Sequence, residues 1–226
     1  MPRILLTSGP DDWRKLLADP EKQWRSGYSA RTLAYCWEAS NGFPPEVSKV
    51  LSQTTEILLV NLTSVLAVPE FKVPLPGGSR ASQNDLFVLA RSSAGTVCIM
   101  VEGKVNEPFG PTLDEWRADA SPSKHERLDF LLRTLCISSA PSGAVRYQLF
   151  HRAASAIITA EQYRAAAAIV LVHSFSEQHA GWKDYEDFVR LFGVRATRDE
   201  VQHLTSTSRV PLFAAWVTGD CSFLKY

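Results

Sequence analysis

The sequence carries no surplus charge of either sign: 24 lysines and arginines stand against 24 aspartates and glutamates in 226 residues. A protein that grips long duplex DNA usually has a basic excess. The balance therefore argues against tight non-specific duplex binding and leaves only a local basic groove. Cysteine is also sparse. Cys36, Cys98, Cys136 and Cys221 form no CxxC pair and have no histidine at zinc-finger spacing, which excludes a zinc-ribbon reading and suits reduced thiols in a cytosol. The longest unbroken apolar run, Ala165 to Val172, has eight residues and is too short to span a bilayer. The opening MPRILLTSG holds too little apolar sequence for a signal peptide. The expectation is a cytoplasmic protein without membrane contact. Repeats, a GxSxG elbow, a GxxxxGK(S/T) phosphate loop and any recognised DNA-reading module are likewise missing.

What is present suffices for one core. A chain of this length, 45% hydrophobic and 21% charged, buries a core without disulfide or metal staples. The expectation is a single domain over residues 1–226, with a helical part at 1–55 and a sheet core with flanking helices at 56–226. Asp11 and Asp12 would cap a first helix. Ser29 would cap a second that runs to Ser40 and stops at Asn41-Gly42 and Pro44-Pro45, and Glu46 to Gln53 would form another. The Val, Leu and Ile content of Ile57 to Val68 predicts one or two strands buried on both faces. A loop follows from Pro69 through Gly77-Gly78 to Asn84.

DLFVLAR (Asp85 to Arg91) and TVCIMVEGKV (Thr96 to Val105) read as the arms of a hairpin. Beyond it, Lys124 to Cys136 and Val145 to Tyr163 have helical spacing, with Leu128, Leu131, Leu132 and Leu135 on one side of the former. Ala166 to His173 reads as a buried strand, Trp182 to Phe192 as a helix closed by Gly193, and Pro211 to Thr218 as a last strand. The fold class is α/β, a mixed sheet between helices.

The chemistry concentrates on the hairpin. With Ser92 to Gly95 as the turn, Arg91 faces Thr96, Leu89 faces Cys98, Phe87 faces Met100, and Asp85 falls opposite Glu102. Directly opposed side chains in an antiparallel pair lie about 4.5–5.5 Å apart at Cβ, where two carboxylates repel unless a cation joins them. Oxygen ligands suit Mg²⁺, with Mn²⁺ as substitute. Period two puts Lys104 beside Glu102 and turns Gly103 away. Such a cation would polarise a phosphate oxygen and acidify its water, while the ammonium would orient that water and offset charge. The plainer alternative is an edge-strand acidic pair with a surface lysine.

Asp85 followed by Glu102-Gly103-Lys104 resembles the D…ExK signature of the PD-(D/E)XK (restriction-endonuclease-like) nuclease superfamily. The order of elements is similar to its αβββαβ core. The signature's proline is absent, since Asn84 precedes the aspartate. The resemblance implies that Asp85 and Glu102 bind the metal with help from the Gly103 carbonyl, that Lys104 is catalytic, and that the substrate is nucleic acid, DNA before RNA. SARTLAYCWEA, EGKVNEPFGP and RYQLFHRAASA also resemble segments of an uncharacterised bacterial family assigned to this fold.

In several branches of that superfamily a Gln or Arg from a nearby helix completes the site. Gln148 resembles that residue, with Arg152 the second choice. Gln148, His151, Arg152 and Ser155 form one polar stripe, for which His151 and Arg152 are candidate substrate-binding groups and a solvated helix face is the alternative. Glu38 would add a metal ligand, as a first-helix Glu does in some relatives, although it reads first as an exposed helix carboxylate. Glu107 is a weaker candidate at the mouth. His173 reads as a hydrogen-bonded histidine at a strand end. The functional expectation is an Mg²⁺-dependent nuclease. Its rivals are a catalytically inactive scaffold of the same fold that binds a protein or nucleic acid, and a hydrolase of a non-nucleic phosphate.

Overall fold

The computed structural model describes residues 5–40, 42–119, 121–205 and 210–226. Among these, six strands form one mixed sheet: β1 (Thr63–Val73), β2 (Ser82–Ser92), β3 (Gly95–Lys104), β4 (Ala167–Ser174), β5 (Val201–Thr205) and β6 (Leu212–Thr218), in the order β1-β2-β3-β4-β6-β5. The first three pair antiparallel, β4 lies parallel to β3, β6 parallel to β4, and β5 closes the far edge antiparallel to β6.

The central strands are apolar on both faces, and their period-two alternation divides the interior into two cores. Val97, Ile99, Val101, Ile169 and Leu171 point to one side, where α1 (Pro10–Arg14), α3 (Ser29–Ser40) and α4 (Pro45–Ser52) bury Trp13, Leu33, Trp37 and Val47 against them. The short α2 (Pro20–Gln23) packs beside α3. Phe87, Cys98, Met100, Val170 and Val172 point to the other. There α5 (Leu113–Arg117), α6 (Pro122–Thr134), α7 (Tyr147–Gln162) and α8 (Trp182–Arg190) cover them. The crossover from β3 to its parallel neighbour β4 thus runs through α7, as parallel pairing requires a long connection.

Several boundaries differ from those read in the sequence. Asp11 and Asp12 sit in the first turn of α1 behind an N-cap at Gly9. The second helix does begin at Ser29, but its first N–H is satisfied by the Glu107 carboxylate at 2.7 Å. The Asn41 half of the expected helix stop lies outside the described residues. Ile57–Leu59 is a 3₁₀ turn, and β1 starts only at Thr63 and continues through Pro69 to Val73. It is an edge strand, half exposed rather than buried on both faces, which is why it tolerates a proline that would break a central ladder. That longer β1 in turn recruits the polar Ser82–Asn84 into β2. The five-residue edge strand β5 has no counterpart in the sequence reading. No helix among the described residues is long and apolar enough to cross a membrane.

Candidate functional site

The β2–β3 register is the expected one, with Arg91 paired to Thr96, Leu89 to Cys98 and Phe87 to Met100. The turn is tighter than four residues. Ser92 and Gly95 also pair, leaving Ser93-Ala94 as the loop, and Gly95 takes a φ of +138° that only glycine adopts without strain. Adding one pair at the turn leaves every later pair unchanged. The last is Leu86 with Val101, and Asp85, next in line, accepts the Gly103 N–H on Oδ2 at 2.8 Å. Gly103 is small for a reason: a Cβ there would lie 3.2 Å from the Leu33 side chain of α3. The x of the ExK triplet is where that helix packs onto the strand.

Glu102 is 2% exposed, and both of its oxygens accept from neighbouring side chains. One oxygen takes Lys104 Nζ at 2.8 Å and Gln148 Nε2 at 2.7 Å, and the other takes Arg152 Nε. Lys104, also buried, donates to Gln148 Oε1 at 3.2 Å and stands 4.7 Å above the Phe109 ring. Gln148 and Arg152 are one helical turn apart on α7, so both reach the strand end from the same side. Arg152 Nη2 is 3.6 Å from Asp85 Oδ1. The cation that joins the two acids in this structure is therefore a guanidinium, where the sequence suggested a bound ion. Arg152 is buried and holds protein carboxylates, so its expected role against substrate is corrected to that of a clamp on Asp85 and Glu102.

A third acid, Glu70, was not foreseen. It lies between Pro69 and Phe71, which pair with Leu86 and Asn84, so the count along β1 brings it opposite Asp85. Its backbone is in the left-handed region, at φ +52°, a strained conformation for a non-glycine that often accompanies functional sites. Its carboxylate is held by Gln83 Nε2 at 2.6 Å. A glutamate after a proline in an apolar stretch was the available signal. It was masked by the expectation that Pro69 ends the strand.

Three acids against two cations leave an excess of negative charge, and it appears in the proton affinities. Burial, then the charge of Asp85, pushes the Glu70 carboxyl up to about 8 despite the Gln83 bond. Burial and the charge of Glu102 raise Asp85 to about 7 against Arg152 and Lys104. Glu102 moves the other way: burial opposes ionisation, but Arg152 and Lys104 hold it down to about 2. These groups line a cavity of about 510 Å³ whose opposite wall comes from the N-terminal helices and the turns between them, including Leu17, Lys22, Tyr28 and Ser29.

The other candidates are spread more widely. Glu107 also reaches the cavity wall, but its carboxylate accepts Ser29 N–H and Val105 N–H. Glu38 does not enter the cavity. It accepts the Trp13 indole N–H at 2.9 Å and the Thr7 hydroxyl, because the neighbouring Trp37 faces the sheet and turns residue 38 toward α1. The expectation of Glu38 as a metal ligand is corrected accordingly. His151 faces a second pocket, with Nδ1 2.8 Å from Ser82 Oγ. Ser155 is buried and bonds its own helix at the His151 carbonyl.

On the opposite face of the same strand ends, Cys36, Glu46 and His173 place one ligand atom each within 4.8 Å of one another. The polarity of the cluster disfavours a metal. Trp37 Nε1, a donor only, bonds His173 Nδ1 at 3.2 Å, so the imidazole proton sits on Nε2 and is given to Glu46 at 3.0 Å. A metal-ligating histidine needs the reverse, a second nitrogen that donates. Burial also pushes the Cys36 thiol far above its usual range. The cluster reads as a closed network tying α3 and α4 to β4.

A family model described as "Domain of unknown function (DUF6946)" matches residues 6–221. The chain belongs to that family. No curated protein and no solved structure matches the chain.

Proposed function

We propose that this domain is a metal-dependent phosphodiester hydrolase acting on nucleic acid, of the restriction-endonuclease-like type. The observation that carries the reading is the meeting of Asp85, Glu102 and Lys104 at adjacent strand ends inside a cavity, with Gln148 of the crossover helix touching both Glu102 and Lys104. The order α3, antiparallel β1-β2-β3, α7 and β4 parallel to β3 is the element order the resemblance calls for, and it supports the same reading.

The donor set fits Mg²⁺ or Mn²⁺. It consists of hard oxygens, and the half-buried acids Glu70 and Asp85, short of counter-charge, hold on to protons that a divalent cation would replace. Asp85, Glu102 and Glu70 would hold the ion, which when bound supplies Lewis-acid polarisation of the phosphate. The chain's own groups do the rest. Lys104, paired with Glu102 and oriented by Gln148 and Phe109, would position the attacking water and meet the negative charge that grows on the phosphoryl oxygens. Gln148 fixes the spacing of Lys104 and Glu102, and Arg152 keeps Glu102 ionised.

One observation favours the inactive-scaffold alternative: Arg152 already joins Asp85 and Glu102. Calorimetric titration with Mn²⁺ separates the two. The hydrolase reading expects a site that Asp85→Ala abolishes, and cleavage that falls by about 10²–10³-fold or more in Asp85→Ala and Lys104→Ala. A protein that binds no Mn²⁺ and cleaves no oligonucleotide is a scaffold. Full activity in either variant refutes the assignment.

A further inference from the structure

Next to the acidic cavity, and sharing Gln148 as a wall, lies a second pocket of about 330 Å³. Its lining differs in charge. It contains Arg80, Arg127, Ser82, Tyr147 and His151, and no aspartate or glutamate, whereas the first cavity sets Glu70, Asp85, Glu102 and Glu107 against Lys22, Lys104 and Arg152. The overall charge of zero thus conceals a pocket whose charged lining is basic alone, beside a cavity of mixed charge.

The second pocket offers donors. Ser82 Oγ lies 2.8 Å from His151 Nδ1, and Arg152 Nη1 lies 3.4 Å from that hydroxyl, so Ser82, His151 and Arg152 form one polar chain at the pocket's edge. Burial and the Arg152 charge lower the His151 proton affinity, which keeps the ring neutral. Arg127 is anchored to the carbonyls of Leu75, Pro76 and Gly78 and contributes fixed positive charge. Arg80 is exposed and holds no hydrogen bond or ion pair among the described residues, leaving all its guanidinium donors for a ligand. Flat stacking is not what the pocket provides, because the faces of Trp116 are taken by Tyr147 at 3.9 Å and Lys124 at 5.4 Å. A donor-rich, acid-free pocket suits phosphate oxygens.

Access sets the rest. Glu102 and Lys104 are 2% and 4% exposed, at the floor of a cavity walled by the N-terminal helices. Volumes of about 300–1,000 Å³ hold ligands of drug size, so each pocket takes one or two nucleotides. A rigid duplex cannot fold its backbone into such a cavity, but a single strand can. We propose that the pocket beside Gln148 binds the phosphate adjacent to the scissile one, and that the substrate is single-stranded nucleic acid bent across Gln148. This rests on the hydrolase reading for the place of cleavage, but the pocket's affinity can be tested without it.

The test uses a short fluorescein-labelled DNA strand, free or annealed as a blunt duplex, with the full chain. By anisotropy in EDTA, the single strand should bind at least about tenfold more tightly than the duplex, and Arg80→Glu should weaken that binding at least about tenfold. Arg91→Glu, the same charge reversal at the exposed far end of the hairpin, should change it by less than about twofold. With Mn²⁺, Arg80→Glu should raise KM by a similar factor, leave kcat within about twofold and leave Mn²⁺ affinity unchanged. Equal binding of strand and duplex, an unaffected Arg80→Glu, or an equal loss in Arg91→Glu overturns the inference. Strand-selective, Arg80-dependent binding without any cleavage would uphold the pocket and sink the hydrolase reading instead.

Discussion

Two buried polar clusters occupy the same strand ends on opposite faces of the sheet, and they behave as opposites. Gly103 pairs with His173 across the β3–β4 ladder. On the α7 face of that rung lie Glu70, Asp85, Glu102, Lys104 and Arg152, and on the α3 face lie Cys36, Trp37, Glu46 and His173. The α3-face cluster is matched donor to acceptor: Trp37 gives to His173, and His173 gives to Glu46. The α7-face cluster has more acid than its cations neutralise, and it opens on a cavity. Burial of polar groups alone therefore does not mark a site. Unbalanced charge at an accessible cavity does, because it leaves something for a ligand to satisfy.

Three measurements would break or sharpen that contrast. The largest effect should come from Arg152→Met, which leaves Glu102 and Asp85 without the guanidinium that joins them. Breaking a buried pair in this way costs about 3–5 kcal/mol, read by urea denaturation. If guanidinium and ion answer the same acids, Mn²⁺ at about 100 times its Kd should restore about 2.7 kcal/mol. No loss, or a loss that Mn²⁺ does not touch, would separate the clamp from the ion site.

A pH series comes next. Asp85 and Glu70 bind protons more tightly folded, at about 7 and about 8, than at their ordinary 3.8 and 4.5. Between those values the native state holds more protons than the unfolded chain, so stability falls as pH rises from about 5 to about 8. Glu102, ordinarily 4.5 and held at about 2, contributes in the other sense: its share is present above 4.5 and is lost as pH falls toward 2. Metal-free melts should thus peak near pH 4–5 and decline by on the order of 1–3 kcal/mol toward pH 8. Saturating Mg²⁺ should flatten the decline by keeping both acids ionised. A metal-free protein equally stable across that range would contradict the charge excess.

The balanced cluster should show a loss no larger than that of the pH series, and no response to metal. Trp37→Phe removes the donor to His173 Nδ1 and leaves a buried acceptor unpaired, at a cost of about 1–3 kcal/mol. Neither Mn²⁺ affinity nor the alkaline slope should change. A metal-dependent rescue of Trp37→Phe would show that the α3-face cluster is a site after all.

Much of the fold was legible because it depends on local pattern. The hairpin register follows from alternation and a short turn, and α3, α6, α7, β4 and β6 follow from periodicity with errors of a residue or two at their ends. Edge positions were not legible. A proline and a half-exposed pattern look like a loop until a partner strand is known, which hid the end of β1 and, with it, Glu70. Glu38 failed for a related reason: the position of a residue on a helix does not say which neighbour that face will meet.

By itself the sequence determined that Asp85, Glu102 and Lys104 fall on one face at the end of a hairpin, because strand alternation is a property of the backbone alone. Only the tertiary structure decided what surrounds them. Arg152 as the joining cation, Glu70 as a third acid, and the acid-free pocket beside the cavity of mixed charge all arise from contacts between segments distant in the chain. Their electrostatics depend on distance and burial, and neither quantity exists before the chain is packed.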